Sequence, residues 1–130
     1  MFKRFIVMGI IAALCGMFGC KAQTQDFRSV DVEEFEKVIA DTAIVRLDVR
    51  TAEEFAAGHI EGTSNIDVLQ ESFETEALKA LPKDKTIALY CRSGRRSKQA
   101  AAILSKNGYK VVELATGYLG WTGAGKPIAK

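Results

Sequence analysis

Cysteine, histidine and proline are scarce in this sequence of 130 residues. It has three cysteines, one histidine and two prolines. No two of the cysteines, Cys15, Cys20 and Cys91, are separated by two residues, so a CxxC redox pair is excluded. Few residues of this chain could therefore support thiol or imidazole chemistry.

The sequence also lacks an excess of charge of one sign. Eighteen basic and sixteen acidic residues give a formal net charge of +2 and a pI of about 8.4. Two of the basic residues, Lys3 and Arg4, lie in an N-terminal segment that we expect to be removed, which leaves sixteen of each sign. A formally neutral chain gives no reason to expect nucleic-acid binding.

No apolar run is long enough to span a bilayer comfortably, which takes about 20 residues. The run from Phe5 to Phe18 follows two basic residues and has the size and flanks of a signal-peptide core. We therefore expect a signal peptide over residues 1–19 and export of the remaining chain.

The end of this segment, Met17-Phe18-Gly19-Cys20, resembles a bacterial lipobox, although Met17 and bulky Phe18 depart from the usual residues. The resemblance implies a lipid on Cys20, a tether over residues 20–26 and a membrane-anchored protein of the cell envelope. Cleavage after Ala22 would instead give a soluble periplasmic protein. An uncleaved N-terminal anchor is the third alternative.

This interpretation of the N-terminus leaves one free thiol. Cys15 would leave with the signal peptide and Cys20 would carry the lipid, so Cys91 could form no intramolecular disulfide. One thiol and one histidine exclude a zinc cluster, and we expect no metal or organic cofactor. An unpaired thiol in an oxidising compartment is a chemical liability, which suggests that the protein uses it.

Cys91 lies between a strand-like run and a helix-like run. Residues 86–90 are apolar and typical of a strand, whereas residues 97–104 are rich in helix formers. The backbone N–H groups of a strand-to-helix turn, with the first turn of the helix, point at a common centre and favour an anion there. We therefore expect the pKa of the Cys91 thiol to lie below its ordinary value of about 8.5.

Basic residues cluster beside this cysteine. Arg92, Arg95, Arg96 and Lys98 follow it closely and predict a site for one small anion. The alternative is an inert core cysteine, since free cysteines are among the most buried residues. That alternative fits poorly with three neighbouring arginines, because buried arginine is costly without partners.

Strand-like and helix-like runs alternate from about residue 27 onward. Strand character covers residues 43–49, 65–67, 87–90 and 109–114, and helical patterns cover 32–39, 51–58, 71–80 and 97–106. This alternation predicts one α/β domain over residues 27–130, with a central parallel sheet flanked by helices on both faces. Functional groups of such folds lie at the carboxyl ends of strands, where Cys91 and Asp48 both fall.

Three sequence blocks resemble the rhodanese family of sulfurtransferase domains. They are the segment from Leu47-Asp48-Val49-Arg50 to Gly58-His59-Ile60-Glu61-Gly62, the run Cys91-Arg92-Ser93-Gly94-Arg95-Arg96-Ser97, and Gly117 with Trp121. The resemblance implies a rhodanese-like three-layer fold. Two residues depart from the family pattern: Glu61 replaces a common proline, and Thr116 replaces a glycine at a turn where threonine would tolerate positive φ poorly.

The resemblance also implies a sulfurtransferase. Cys91 would take sulfane sulfur from thiosulfate or a related donor as a persulfide and pass it to a thiol or cyanide. The loop amides and arginines would bind the anion, and the implied binding residues are Arg92, Ser93, Gly94, Arg95 and Arg96. Among them we favour Arg92 and Arg96, and we expect Lys98 to be a solvated residue at the helix start.

The partners implied by the resemblance are a small sulfur-containing anion, a thiol acceptor and, through the lipid on Cys20, a membrane. We expect a monomer. Asp48 and Arg50 are expected to support the loop structurally. His59 is expected to fix a turn after a short helix rather than to take part in catalysis.

Two other classes of function remain open. A cysteine-dependent phosphatase or arsenate reductase would need an arginine six positions after its cysteine, where this chain has Ser97, so the loop is one residue too short. The second class is a noncatalytic sulfur carrier or anion-binding module of the cell envelope. The sequence does not separate a carrier from an enzyme, because both need the same persulfide.

Overall fold

The computed structural model describes residues 27–130, which form five strands and five helices. The strands are β1 (Arg28–Val30), β2 (Val45–Asp48), β3 (Ser64–Asn65), β4 (Ile87–Tyr90) and β5 (Val111–Leu114). The helices are α1 (Val32–Ile39), α2 (Ala52–Ala57), α3 (Phe73–Ala80), α4 (Arg95–Lys106) and α5 (Gly117–Gly123). None of these helices is long and apolar enough to cross a membrane. The predicted signal peptide, the lipid site at Cys20 and the tether over 20–26 lie outside the described residues.

The five strands form one parallel sheet in the order β1-β5-β4-β2-β3. Side chains of a strand point alternately to its two faces, so a strand buried on both faces is apolar throughout. In β4, Ile87 and Leu89 join a core with α3 and α4, whereas Ala88 and Tyr90 join a second core with α1 and α5. The predicted α/β fold, with helices on both faces of a parallel sheet, is confirmed.

Strand β1 is not apparent from the sequence pattern. It has three residues, two of them exposed, and it pairs at the sheet edge with β5, from Arg28 opposite Val112 to Val30 opposite Leu114. A strand this short has no apolar alternation that could reveal it. Its formation depends on backbone hydrogen bonds to a strand far along the chain.

Helix α4 begins two residues earlier than the sequence predicts. Gly94 precedes it with a φ of +103°, a left-handed conformation that glycine adopts readily. A Cβ atom at this position would overlap the backbone carbonyl of Ala115, which follows β5. Gly94 therefore lets the connection close against β5 and start the helix at Arg95.

The turn after β5 avoids the strain expected at Thr116. Thr116 has a φ of −96°, and the left-handed conformation falls on Gly117, whose φ is +65°. A Cβ on Gly117 would lie 2.5 Å from the carbonyl oxygen of Arg92 and 2.7 Å from that of Cys91. Glycine is therefore required at position 117, and the departure from the family pattern at Thr116 introduces no positive φ.

Replacing Gly117 by alanine should destabilise the protein. The left-handed conformation costs an ordinary residue about 1–2 kcal/mol, and the added methyl group would collide with the Arg92 carbonyl. We expect the free energy of unfolding in urea to fall by about 2 kcal/mol or more. Gly123→Ala is the control, because a Cβ at Gly123 meets nothing within 4 Å. Equal stability of the two variants would contradict this explanation.

Candidate active site

Cys91 lies directly after β4, at the carboxyl edge of the sheet, and is 1% exposed. Its thiol is free. The Gly94 N–H donates to Sγ at 3.0 Å, and the thiol donates to Ser97 Oγ at 3.5 Å. The predicted strand-to-helix connection thus wraps around the sulfur.

Burial raises the pKa of the Cys91 thiol, but hydrogen bonds to the sulfur outweigh that effect. When the sulfur is a thiolate, the donors to it are the Ser97 hydroxyl and the backbone N–H groups of Ser97, Gly94 and Ser93. The pKa is therefore lowered from its ordinary value. The direction agrees with the expectation from sequence, and the loop N–H groups on which that expectation rests are among the stabilising groups.

The three arginines of the loop have different surroundings. Arg96 donates to both carboxylate oxygens of Glu54, at 2.8 and 3.0 Å, although its charge still interacts with Cys91. Arg92 and Arg95 are exposed and form no ion pair with another residue of the described chain. Of the two arginines favoured for anion binding, Arg92 is therefore the one with an uncompensated charge.

Asp48 and Arg50 form a buried ion pair. Arg50 Nη2 lies 2.7 Å from Asp48 Oδ2 and donates to the Gly58 carbonyl at 2.6 Å. The guanidinium carbon lies 4.1 Å from the ring centre of Tyr118, whose N–H donates to the Cys91 carbonyl at 2.8 Å. The pair thus packs against a residue that holds the loop in place.

His59 stabilises the end of α2. Its ring stacks on Phe55 with the ring centres 3.9 Å apart, and its Nδ1 lies 2.9 Å from the Phe55 carbonyl oxygen. Its backbone N–H donates to the carbonyl of Ala129. These contacts correspond to the structural role expected for this residue.

A buried glutamate that the sequence pattern did not single out lies behind the cysteine. Glu113 on β5 is fully buried and accepts hydrogen bonds from Ser97 Oγ, at 2.6 Å, and from Ser29 Oγ. Lys98 Nζ lies 3.4 Å from the carboxylate and donates to the Gly94 carbonyl, so Lys98 is solvated at the helix start, as expected, but also has partners. The sequence does contain a signal for this residue: Glu113 is the charged residue within the apolar part of the predicted strand. A charged side chain buried in such a strand needs hydrogen-bonding partners.

The described residues thus place one buried thiol among several hydrogen-bond donors. Preorganised donors of this kind stabilise negative charge on the atom they surround. They suit a thiolate nucleophile that forms a covalent intermediate. In residues 27–130, no three histidine, cysteine, aspartate or glutamate side chains are grouped so that they could hold a metal ion.

The chain is similar to known proteins over most of its described length. A family model described as "Rhodanese-like domain" matches residues 31–124, which include the Cys91 loop. A protein of Allochromatium vinosum named "Sulfurtransferase" is 39% identical over 103 residues, which cover 76% of this chain and 92% of that protein.

A second relative, from Escherichia coli K12, is named "Thiosulfate sulfurtransferase PspE". It is 42% identical over 71 residues, which cover 55% of this chain and 67% of the relative. Among solved structures, a rhodanese-related protein from Thermoplasma volcanium matches with a TM-score of 0.70 and 32% identity, over 79% of this chain and 98% of that one.

The ion pair between Glu54 and Arg96 should make stability depend on pH. Hydrogen bonding from Arg96 lowers the pKa of Glu54 from its ordinary value of 4.5 to about 2. Because the pKa is lower in the folded state, this stabilisation is present above about pH 4.5 and is lost as the pH falls through about 2. We expect Glu54→Gln to lower the free energy of unfolding in urea at about pH 7 and much less at about pH 2.

Glu53→Gln is the matched control, since Glu53 is an exposed neighbour on the same helix and forms no ion pair within the described chain. Its effect should be small at both pH values. A loss of stability for Glu54→Gln that does not change between them would contradict the role of the ion pair.

Proposed function

This chain belongs to the rhodanese-like family, and on that basis we propose that it transfers sulfane sulfur from thiosulfate or a related donor to a thiol or cyanide through a persulfide on Cys91. The single observation that carries the proposal is the position of Sγ, 3.0 Å from the Gly94 nitrogen in a loop that lowers the pKa of the thiol. The name of the Escherichia coli relative, a thiosulfate sulfurtransferase, supports thiosulfate as the donor.

In the first step, the Cys91 thiolate attacks the outer sulfur of the donor. Its electron pair forms a new S–S bond, and the old bond between the outer and inner sulfur atoms breaks. The bonding pair of thiosulfate leaves with sulfite, which thereby gains one negative charge, and the terminal sulfur of the persulfide keeps the negative charge that it held in thiosulfate. No external oxidant or reductant is required, because one S–S bond forms as another breaks and the transferred atom remains sulfane sulfur.

In the second step, an acceptor thiolate or cyanide attacks the terminal sulfur of the persulfide. The bond between this sulfur and Sγ breaks, and its electron pair returns to Sγ as the thiolate. The same hydrogen-bond donors that lower the pKa of Cys91 make it a better leaving group at this stage. One loop thus serves both halves of the cycle.

The donor anion would be held by the exposed part of the loop. Arg92 and Arg95 are exposed and have no acidic partner in the described chain, so their charges are available to the sulfonate-like oxygens of thiosulfate. Arg96 is held by Glu54 and contributes mainly through its field at Cys91.

The surroundings of Ser97 argue against a phosphatase. Ser97 is six positions after Cys91, where a phosphate loop would need arginine, and its side chain is fully buried against Glu113. A buried hydroxyl hydrogen-bonded to a carboxylate thus occupies the position at which a phosphatase loop would need its phosphate-binding arginine.

We also propose that the protein is exported and anchored by a lipid on Cys20. The support comes from the sequence alone, namely the two basic residues, the apolar run Phe5 to Phe18 and the lipobox-like end at Cys20. The catalytic domain would then work at the cell envelope.

Thiosulfate should load sulfur onto Cys91. After treatment of the full-length protein, we expect intact-mass analysis to show the gain of one sulfur atom, and the tryptic peptide 86–92 to carry it. Dithiothreitol should remove the sulfur. Cys91→Ser should abolish the gain, whereas Cys20→Ser should retain it.

Turnover then separates an enzyme from a carrier. Continuous formation of thiocyanate from thiosulfate and cyanide supports the enzyme, whereas one equivalent of sulfur that exchanges only with a protein thiol supports a carrier. Efficient hydrolysis of an aryl phosphate without sulfur loading would refute the proposal.

Expression in a bacterial host should place the protein in the membrane fraction with a mature N-terminus at Cys20. The reason is that lipidation of Cys20 precedes cleavage at a lipobox. N-terminal sequencing and metabolic labelling with a fatty acid would measure this, and Cys20→Ser should prevent labelling without affecting sulfur loading. A soluble periplasmic product that begins at Gln23 would contradict the lipid anchor, and a cytoplasmic product would contradict export.

A further inference from the structure

The mechanism above gives no role to the buried carboxylate that lies behind the cysteine. Glu113 is fully buried in β5, and a buried carboxylate is costly unless it is paired and hydrogen-bonded. Its partners are Ser97, Ser29 and Lys98. An apolar residue would occupy the same position in the sheet without the free-energy cost of burying a charge. The groups that Glu113 binds therefore indicate what the carboxylate does there.

The hydroxyl of Ser97 links this carboxylate to the nucleophile. Ser97 is fully buried, with its Oγ 2.6 Å from Glu113 Oε1 and 3.5 Å from Cys91 Sγ. A serine hydroxyl has one proton to donate. When Cys91 is a thiol, each donor of the network has one acceptor: the thiol donates to Ser97, and Ser97 donates to Glu113.

When Cys91 is a thiolate, the sulfur and the Glu113 carboxylate compete for the hydroxyl proton of Ser97. The charged sulfur then needs a donor, but the same Ser97 proton is required by the Glu113 carboxylate. In the persulfide, the negative charge lies on the terminal sulfur and Sγ is uncharged. The Ser97 hydroxyl can therefore donate to Glu113 again. The competition therefore raises the free energy of the thiolate form more than that of the persulfide form.

We infer that Glu113 is a positioning residue for Cys91, which competes with the sulfur for the Ser97 proton and thereby favours the persulfide form over the free thiolate. This inference rests on the proposed function for its biological meaning. Its chemical content, that Glu113 acts on Cys91 through Ser97, can be tested without any sulfur transfer.

The charged groups around the pair set the direction of each effect. Lys98 on α4 is the cation that faces Glu113, and β1 contributes only the uncharged hydroxyl of Ser29. At Cys91, the guanidinium of Arg96 acts through space but is paired with Glu54. Lys98 should therefore offset part of the effect of Glu113 on the sulfur.

The test is the pH dependence of iodoacetamide alkylation, followed on the tryptic peptide 86–92 of the full-length protein so that only Cys91 is measured. Glu113→Gln should lower the apparent pKa of Cys91 by about one unit, a tenfold change in the ionisation constant. Ser97→Ala should raise it, because the thiolate loses a donor. In the Ser97→Ala background, Glu113→Gln should have less than half of its effect, since the connecting hydroxyl is gone.

A second variant keeps the inference testable if Glu113→Gln folds poorly. Lys98→Ala changes a half-exposed side chain and should raise the pKa of Cys91, whereas the exposed Lys110→Ala should leave it unchanged. An unchanged or raised pKa in folded Glu113→Gln would overturn the inference. So would equal effects of Glu113→Gln with and without Ser97, because Glu113 would then act by its field alone.

Sulfur loading provides the second measurement. At a pH above the thiol pKa of both proteins, and at a fixed ratio of thiosulfate to sulfite, Glu113→Gln should lower the ratio of persulfide to thiolate about tenfold. An unchanged ratio would overturn the preference for the persulfide. If no persulfide forms in either protein, the proposed function fails, and the alkylation data still decide whether Glu113 acts on Cys91.

Discussion

The site depends on where the carbonyl groups of the Cys91 loop find their hydrogen bonds. A loop that turns several N–H groups toward one sulfur turns its carbonyls away, and buried carbonyls need donors. The first turn of α5 supplies these donors, since the N–H groups of Tyr118 and Leu119 bind the carbonyls of Cys91 and Arg92. The first N–H groups of a helix have no partner inside it, so the loop and the helix satisfy each other. Gly117 permits this contact, because a side chain there would occupy the same space.

Charges near the sulfur occur mostly in pairs. Within the described chain, Arg96 is paired with Glu54, Arg50 with Asp48, and Lys98 with Glu113. Because these charges largely cancel, the sulfur depends on backbone dipoles and one hydroxyl for its stabilisation. Buried dipoles are screened by salt much less than exposed charges are. In the proposed mechanism, the reactivity of the thiol thus depends on buried groups and the attraction of the donor anion on exposed ones.

The secondary-structure elements that the sequence predicted are local, whereas the side-chain contacts that it missed join residues far apart in the chain. The apolar run of β4, the helix formers of α4 and Cys91 between them are neighbours in the chain, so their pattern predicts their structure. The Arg96–Glu54 pair joins residues 42 positions apart, and the contact of Ser29 with Glu113 spans 84. The sequence shows that charged residues exist but not which ones meet. Strand β1 was missed for the same reason, because its partner lies at the other end of the domain.

The parallel sheet also determines at which of its edges Cys91 lies. All strands of such a sheet start at one edge and end at the other. The chain enters β1 at Arg28, at the starting edge, whereas Cys91 follows the last residue of β4, at the finishing edge. The described chain thus enters the domain at the edge of the sheet opposite to the one that carries Cys91. A sulfur donor or acceptor that reaches Cys91 would therefore meet the edge of the sheet farthest from the point at which the chain enters it.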